Sequence, residues 1–244
     1  EVKEFAAALT EAGHSTAFAF PPEAEYPAWT MANLVWAYGG SWSDEWDFSA
    51  AHSAETVEAL EFAQQAINDG WAAVASTAPQ TDFAAGANSS VVGSTGALNS
   101  TLETAGFNVG VGFLPLGPSG EENVVPTGGA GLSIASKSTP EKQKAAAMFV
   151  SFITNPENTA AFSGATGYLP VQKDADMSAV YAEQPLFEVA VQQLERARVQ
   201  DFGRVLLPGG DIALSRALNE VLVQGADAEE AMTKVAGEMT TLYD

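Results

Sequence analysis

Short extended segments alternate with amphipathic helical ones through the first part of this chain, and helices dominate its last third. That order restricts the fold to the α/β class. Residues 2–12 place Val2, Phe5, Ala6 and Leu9 at helical spacing, and Gly13 follows as a stop. Thr16 to Phe20 reads as a short strand closed by Pro21-Pro22. Ser53 caps a helix whose stripe is Val57, Leu60, Ala63, Ala66 and Ile67, with Asp69-Gly70 at its end. A brief helical piece over 83–86, a buried strand over 89–93 and a turn into a helix from Ser94 follow.

Val109 to Leu116 alternates like a strand and ends near Pro115, and Leu132 to Ala135 reads as another. Ser138-Thr-Pro-Glu141 combines a hydroxyl cap, proline in the first turn and an acid behind it. The helix it opens is expected to turn Ala145, Ala146, Phe149, Val150 and Ile153 inward. Further helices are expected from Pro156 to near Gly164 and over 184–196, 211–224 and 227–242, with Gly225 between the last two.

Charge narrows the partners. With 31 acidic against 10 basic residues the net charge is −21, which repels nucleic-acid phosphates and anionic membrane surfaces. The acids are spread along the chain, as on a solvated surface. Cysteine is absent, so disulfides, thiolate catalysis and Cys-ligated metals are excluded. No apolar run approaches the roughly 20 residues that span a bilayer. The chain opens at Glu1 inside a predicted helix, with no signal segment, so we expect an N-terminal part to precede it.

Motifs for bond-breaking chemistry are scarce. His14 and His52 lie far apart without ligand-spaced partners, and no nucleophile elbow, Walker loop or zincin motif is present. Gly128-Gly-Ala-Gly131 leads toward a predicted strand, not a helix, and so is a poor dinucleotide signature. No motif points to a cofactor or a metal. Asp44, Glu45 and Asp47 are candidates for a secreted hydrolase that uses paired carboxylates, an alternative requiring two of them to face each other across a cleft. An adhesive surface protein is a third class, disfavoured by the lack of repeats.

Aromatic residues beside glycines and loops are the more informative pattern: Tyr26, Trp29, Trp36, Trp42, Trp46 and Tyr168. Such rings offer a flat apolar face and a polar edge, suited to a sugar or polyol. Trp36 and Trp71 are expected in the core, while Trp42 and Trp46 are expected to cover a loop.

Four stretches, in order, carry a resemblance to a known family. They are Trp29 with Trp36-Ala-Tyr-Gly-Gly40 and Ser53–Gly70; Phe83-Ala-Ala-Gly86 through Ser94-Thr-Gly-Ala-Leu98; Thr127-Gly-Gly-Ala-Gly-Leu-Ser-Ile134 through Phe152 and Asn155-Pro-Glu157; and Gly167-Tyr-Leu-Pro-Val171. The set resembles the extracellular solute-binding proteins of ABC importers, in particular the branch that binds sn-glycerol 3-phosphate or glycerophosphodiesters. The resemblance implies a binding protein, not an enzyme, with a type II periplasmic-binding-protein fold. Two α/β lobes would close on a sugar, polyol, glycerol phosphate or glycerophosphodiester and deliver it to membrane permease subunits. It further implies an extracytoplasmic location, in a periplasm or as a cell-surface lipoprotein.

On this basis residues 1–122 and 172–244 would form most of the C-terminal lobe, and 123–171 would return to an N-terminal lobe mostly absent here. The 124–170 piece would then need another molecule to cover its apolar helix face, or pack poorly. Tyr26 and Trp29 would meet the ligand, Trp29 by stacking. Ser94, Thr95 and Gly96 would donate from hydroxyls and backbone N–H groups. Gly128 and Gly129 would allow close backbone approach, and Tyr168 would donate its hydroxyl. Where the family places an arginine for phosphate, this chain has Gly209-Gly-Asp-Ile212, with Arg204 and Arg216 offset. Arg204 and Asp211 remain ligand candidates there, Asp211 either accepting from solute hydroxyls or capping its helix.

Overall fold

The structure, a computed structural model, describes residues 2–14 and 16–244; Glu1, at which the predicted opening helix is entered, lies outside the described residues. Helix α1 (Val2–Glu11) leads into strand β1 (Phe18–Phe20). Helices α2 (Pro27–Thr30), α3 (Ala32–Tyr38) and α4 (Ala54–Asn68) come before strand β2 (Ala72–Val74), and α5 (Pro79–Ala84) before β3 (Ser90–Val91). β1 lies between β2 and β3 and runs parallel to both, with Phe18 opposite Ala72 and Ser90. Parallel neighbours cannot be joined by a hairpin, and the intervening helices provide the crossovers.

The chain continues through α6 (Leu98–Thr104), β4 (Val125–Pro126), α7 (Pro140–Ile153), α8 (Pro156–Thr166), α9 (Ser178–Glu183) and α10 (Pro185–Gln192). Strand β5 (Ala197–Arg198), then α11 (Phe202–Val205), α12 (Gly210–Gln224) and α13 (Ala228–Tyr243) complete it. β5 pairs in parallel with β4, Val125 opposite Ala197 and Pro126 opposite Arg198.

Helix starts follow local chemistry. Ser53 Oγ accepts from the Thr56 amide and Thr139 Oγ1 from the Lys142 amide, so each serves an otherwise unpaired first-turn N–H. The main core joins Phe20, Val35, Trp42 and Leu60 to Leu214, Leu218, Met232 and Met239, so α12 and α13 close over the first part of the chain. A second apolar cluster, around Leu98, Met177 and Phe187, ties α6 to α9 and α10.

Gly210 shows how closely α12 approaches α11. A Cβ there would lie 1.9 Å from the Gly203 carbonyl oxygen, a backbone atom with no rotamer to yield. Gly210 is the first residue of α12, so Gly210→Ala gains only part of the roughly 1 kcal/mol that alanine has over glycine in a helix interior. The overlap is nonetheless expected to dominate, as overpacking does at about 1–3 kcal/mol, and to lower the denaturant midpoint. A midpoint equal to or above the parent's would show that α11 and α12 can separate freely.

Four expectations are corrected. Residues 109–116 form no strand: among the described residues the segment has no ladder partner, and the Gln193 side chain holds it instead, with Oε1 2.7 Å from the Leu114 amide and Nε2 3.4 Å from the Gly112 carbonyl. Leu132 to Ala135 is likewise no strand, and Leu132 and Ile134 are exposed. α7 buries none of its residues, so the face with Ala145, Ala146, Phe149, Val150 and Ile153 is not turned into a core; Met148, Phe149 and Phe152 stand open to solvent. Ala146, Val150 and Ile153 are only partly buried. Trp42 does not cover a loop: it is fully buried, and its Nε1 donates to the Ala28 carbonyl at 2.8 Å. The predicted burial of Trp36 agrees with the structure, and Trp71 packs partly buried against the main core.

Candidate functional site

Two groups of predicted site residues are built by separate contacts. The first surrounds Trp29. Proline at the start of α2 fixes the helix entry, and Tyr26 precedes it in the left-handed region at φ 53, its side chain exposed. From α2 the half-buried Trp29 donates its Nε1–H to the Thr127 carbonyl at 3.1 Å, across 98 residues of sequence. Gly128 follows at once, and a Cβ there would lie 3.1 Å from the indole nitrogen. A side chain at 128 would press on the ring edge and require the indole to give by a few tenths of an ångström. Gly129, at φ 137, faces open space.

The second group joins Tyr168 to the 94–96 turn. Gly167 ends α8 at φ 77, and a Cβ on it would come within 2.6 Å of the Thr95 carbonyl oxygen. The Tyr168 ring then lies over Gly96, where a Cβ would meet Cε2 at 3.1 Å. Ser94 Oγ accepts from the Gly96 amide at 3.2 Å, which caps the short turn. One expectation changes: the Gly96 N–H is engaged inside the turn, whereas the Ser94 hydroxyl proton is still available to donate. Asn99 Nδ2 reaches the Gly164 and Ala165 carbonyls, each at 3.4 Å, and holds the end of α8 against α6.

Arg204 and Asp211 occupy a third place. Arg204 Nε lies 2.9 Å from Asp211 Oδ1, so the two neutralise each other. Burial pulls the Arg204 guanidinium below its ordinary pKa, and the Asp211 charge opposes this. Gly209 occupies the N-cap of α12 in the left-handed region, and Asp211 lies one residue inside the first turn. The capping option for Asp211 is thereby corrected: the cap position already belongs to Gly209, and the carboxylate is turned to Arg204.

Sequence reasoning missed the neighbours that organise this region. Asp201 is buried; its Oδ2 accepts from Trp36 Nε1 at 3.1 Å and from the Trp42 amide at 2.8 Å, and Arg198 approaches its Oδ1 at 3.4 Å. The Arg198 guanidinium also lies 4.7 Å from the Trp36 ring centre. Burial pushes the Asp201 carboxyl above the usual range, against the Trp42 and Trp36 N–H groups and the arginine charges. Gln200, also buried, donates Nε2 to the Thr127 carbonyl at 3.1 Å, and Thr127 Oγ1 donates to the Arg198 carbonyl at 3.3 Å. The one signal available was the gathering of Arg196, Arg198 and Arg204 in a chain with only 10 basic residues.

The carboxylates considered for hydrolysis are not disposed for it. Asp44 and Asp47 close one tight turn through reciprocal backbone hydrogen bonds, 3.0 and 2.8 Å, and both are exposed, as is Glu45 between them. Asp47 is occupied by the Ser49 amide and hydroxyl, which hold its pKa low. Three exposed acids on one turn do not face each other across a cleft. His14 is exposed, and among the described residues no group of three or more histidines and acids could hold a metal ion. No helix among them is long and apolar enough to cross a membrane.

Comparison with known proteins identifies the fold and the family. UgpB from Mycobacterium tuberculosis, crystallised in complex with glycerophosphocholine, superimposes with a TM-score of 0.87 and 37% identity over 95% of this chain and 59% of that one. The sn-glycerol-3-phosphate-binding periplasmic protein UgpB of Escherichia coli K12 is 33% identical over 108 residues, 41% of this chain and 24% of the relative. The cyclic α-maltosyl-1,6-maltose-binding protein of Arthrobacter globiformis shares the fold, with a TM-score of 0.77 at 20% identity, 99% of this chain and 63% of that one. The chain thus spans less than two thirds of each of these proteins, and its α/β architecture is that of part of a type II periplasmic binding protein. Residues 1–189 match the family model of the bacterial extracellular solute-binding proteins, and the chain belongs to that family.

Proposed function

We propose that this chain supplies one side of the cleft of an ABC importer's solute-binding component, which captures a glycerophosphodiester outside the cytoplasm and hands it to the permease. The observation that carries the reading is the 37% identity, over 95% of the chain, to a protein crystallised with glycerophosphocholine. In this reading Trp29 is the stacking platform, beside the bare backbone of Gly128 and Gly129. Tyr168 and the Ser94 hydroxyl approach from the second group, and lobe closure brings the two groups onto one solute. Residues 1–122 and 172–244 form one lobe, and 123–171 crosses to the other. That lobe covers Met148, Phe149 and Phe152 on α7. The protein acts in a periplasm or at the cell surface as a lipoprotein.

Charge favours a phosphodiester over a phosphomonoester. Asp211 already neutralises Arg204 at 2.9 Å, and the chain carries a net charge of −21. A dianionic phosphate would enter this field without a free bidentate partner, whereas zwitterionic glycerophosphocholine brings its own cation. Calorimetric titration is expected to show glycerophosphocholine binding at least about tenfold more tightly than sn-glycerol 3-phosphate, a difference of about 1.4 kcal/mol. Binding of maltose with no response to glycerophosphocholine would overturn the assignment in favour of a sugar.

A further inference from the structure

One backbone oxygen connects the candidate platform to the paired strands. The Thr127 carbonyl accepts two N–H donors, Trp29 Nε1 and Gln200 Nε2, each at 3.1 Å. Thr127 sits directly after β4 and Gln200 two residues after β5, the strands paired at Val125–Ala197 and Pro126–Arg198. Thr127 Oγ1, donating to the Arg198 carbonyl, closes the loop between them. The indole edge is thus tied to the strand pair through a single shared acceptor.

The chemistry of Gln200 fits a dedicated holder. A carbonyl oxygen takes donors only, so the amide must present its NH2 to Thr127, which turns Oε1 the other way. Gln200 is 6% exposed, and Oε1 finds no donor among the described residues. Keeping a buried acceptor unpaired is unfavourable. A packing role alone would be met by leucine or methionine, which fill similar space and leave nothing unpaired. What glutamine adds is the N–H at Thr127, and the other occupant of that oxygen is Trp29.

We propose that Gln200 is the positioning residue of the Trp29 platform: it shares the Thr127 carbonyl with the indole, fixes that oxygen relative to β4 and β5, and so sets ring orientation for solute stacking. The stacking half rests on the proposed function; the link between Gln200 and the indole does not. A change in the relation of the two strands is thereby transmitted to the ring through one atom.

The test uses the protein with its five tryptophans replaced by 5-fluorotryptophan and read by fluorine NMR, Trp29 being assigned through Trp29→Phe. Gln200→Leu is expected to shift or broaden the Trp29 resonance more than those of Trp46 and Trp71. Gln200→Glu, isosteric but facing a carboxylate toward the Thr127 carbonyl, is expected to perturb it at least as much. Binding of glycerophosphocholine is expected to weaken about tenfold in Gln200→Leu, with the denaturant midpoint near the parent's. An unmoved Trp29 resonance in both variants would overturn the proposal, whatever binds. A moved resonance with parental glycerophosphocholine affinity would overturn the stacking half and retain the structural link. Should the parent bind no glycerophosphocholine, the proposed function fails, and the resonance alone still decides whether Gln200 holds the ring.

Discussion

Asp201→Ala is expected to remove about 3–5 kcal/mol of folding stability, whereas Asp201→Asn is expected to cost little or to stabilise at neutral pH. The contrast comes from what each change leaves behind. Alanine abandons two N–H donors, Trp36 Nε1 and the Trp42 amide, that meet the same carboxylate oxygen, and it leaves Arg198 without its acid. Trp36 and Trp42 are themselves fully buried, so neither donor can turn to water. Asparagine keeps an oxygen in place for both and avoids taking a charge out of water.

The pH dependence separates these effects. Burial raises the Asp201 carboxyl above its ordinary value of 3.8. Between that value and the raised one, the folded protein holds a proton that the unfolded chain has released. Stability from this group is therefore complete below about 3.8, declines as pH rises through the folded pKa and is level beyond it. Urea titrations of parent and Asp201→Asn across this range should show the parent losing stability relative to the variant as pH rises. A parent that gains on the variant over that interval would mean that the N–H donors and arginines outweigh burial, and that the carboxylate is the favoured form.

The features that could be read in the sequence share a physical property: they are decided within a few residues. Ser53 and Thr139 cap helices because their hydroxyls reach amides three residues on, and Gly167 and Gly225 end helices because only the local backbone must turn left-handed. Residues 109–116 alternate as a strand does, yet a strand also needs a neighbour, and there the Gln193 side chain takes the place of a ladder. The apolar stripe of α7 was visible, but its covering is not a property of the stripe. Trp29, Gly128 and Tyr168 came from ordered resemblance to a family, since nothing local distinguishes a platform tryptophan from a core one. Asp201 and Gln200 were hard to read for a related reason: Arg198 lies three residues from Asp201, but their N–H and carbonyl partners lie 159, 165 and 73 residues away. A buried acid can be recognised only once its donors are known.

Trp29→Ala is expected to weaken glycerophosphocholine binding roughly thirtyfold, about 2 kcal/mol, with little change in folding stability. The argument starts from exposure. Trp29 is half-buried and belongs to neither the main core nor the second apolar cluster, unlike Trp42, so its truncation leaves the core packing intact. Its indole edge is pinned to Thr127 and crowded by Gly128, which keeps the ring in one orientation before any ligand arrives. A pre-oriented ring spares the complex the entropy of ordering a free side chain, and it offers a face on which a choline or glycerol C–H surface can lie. Trp29→Phe retains an aromatic face but loses the N–H to Thr127, so it is expected to fall between parent and alanine. If orientation matters as much as area, phenylalanine will recover less than half of the lost free energy. Equal affinity in the parent and Trp29→Ala, measured by calorimetry on proteins with matched denaturant midpoints, would remove Trp29 from the site and with it the platform to which Gln200 and Thr127 are joined.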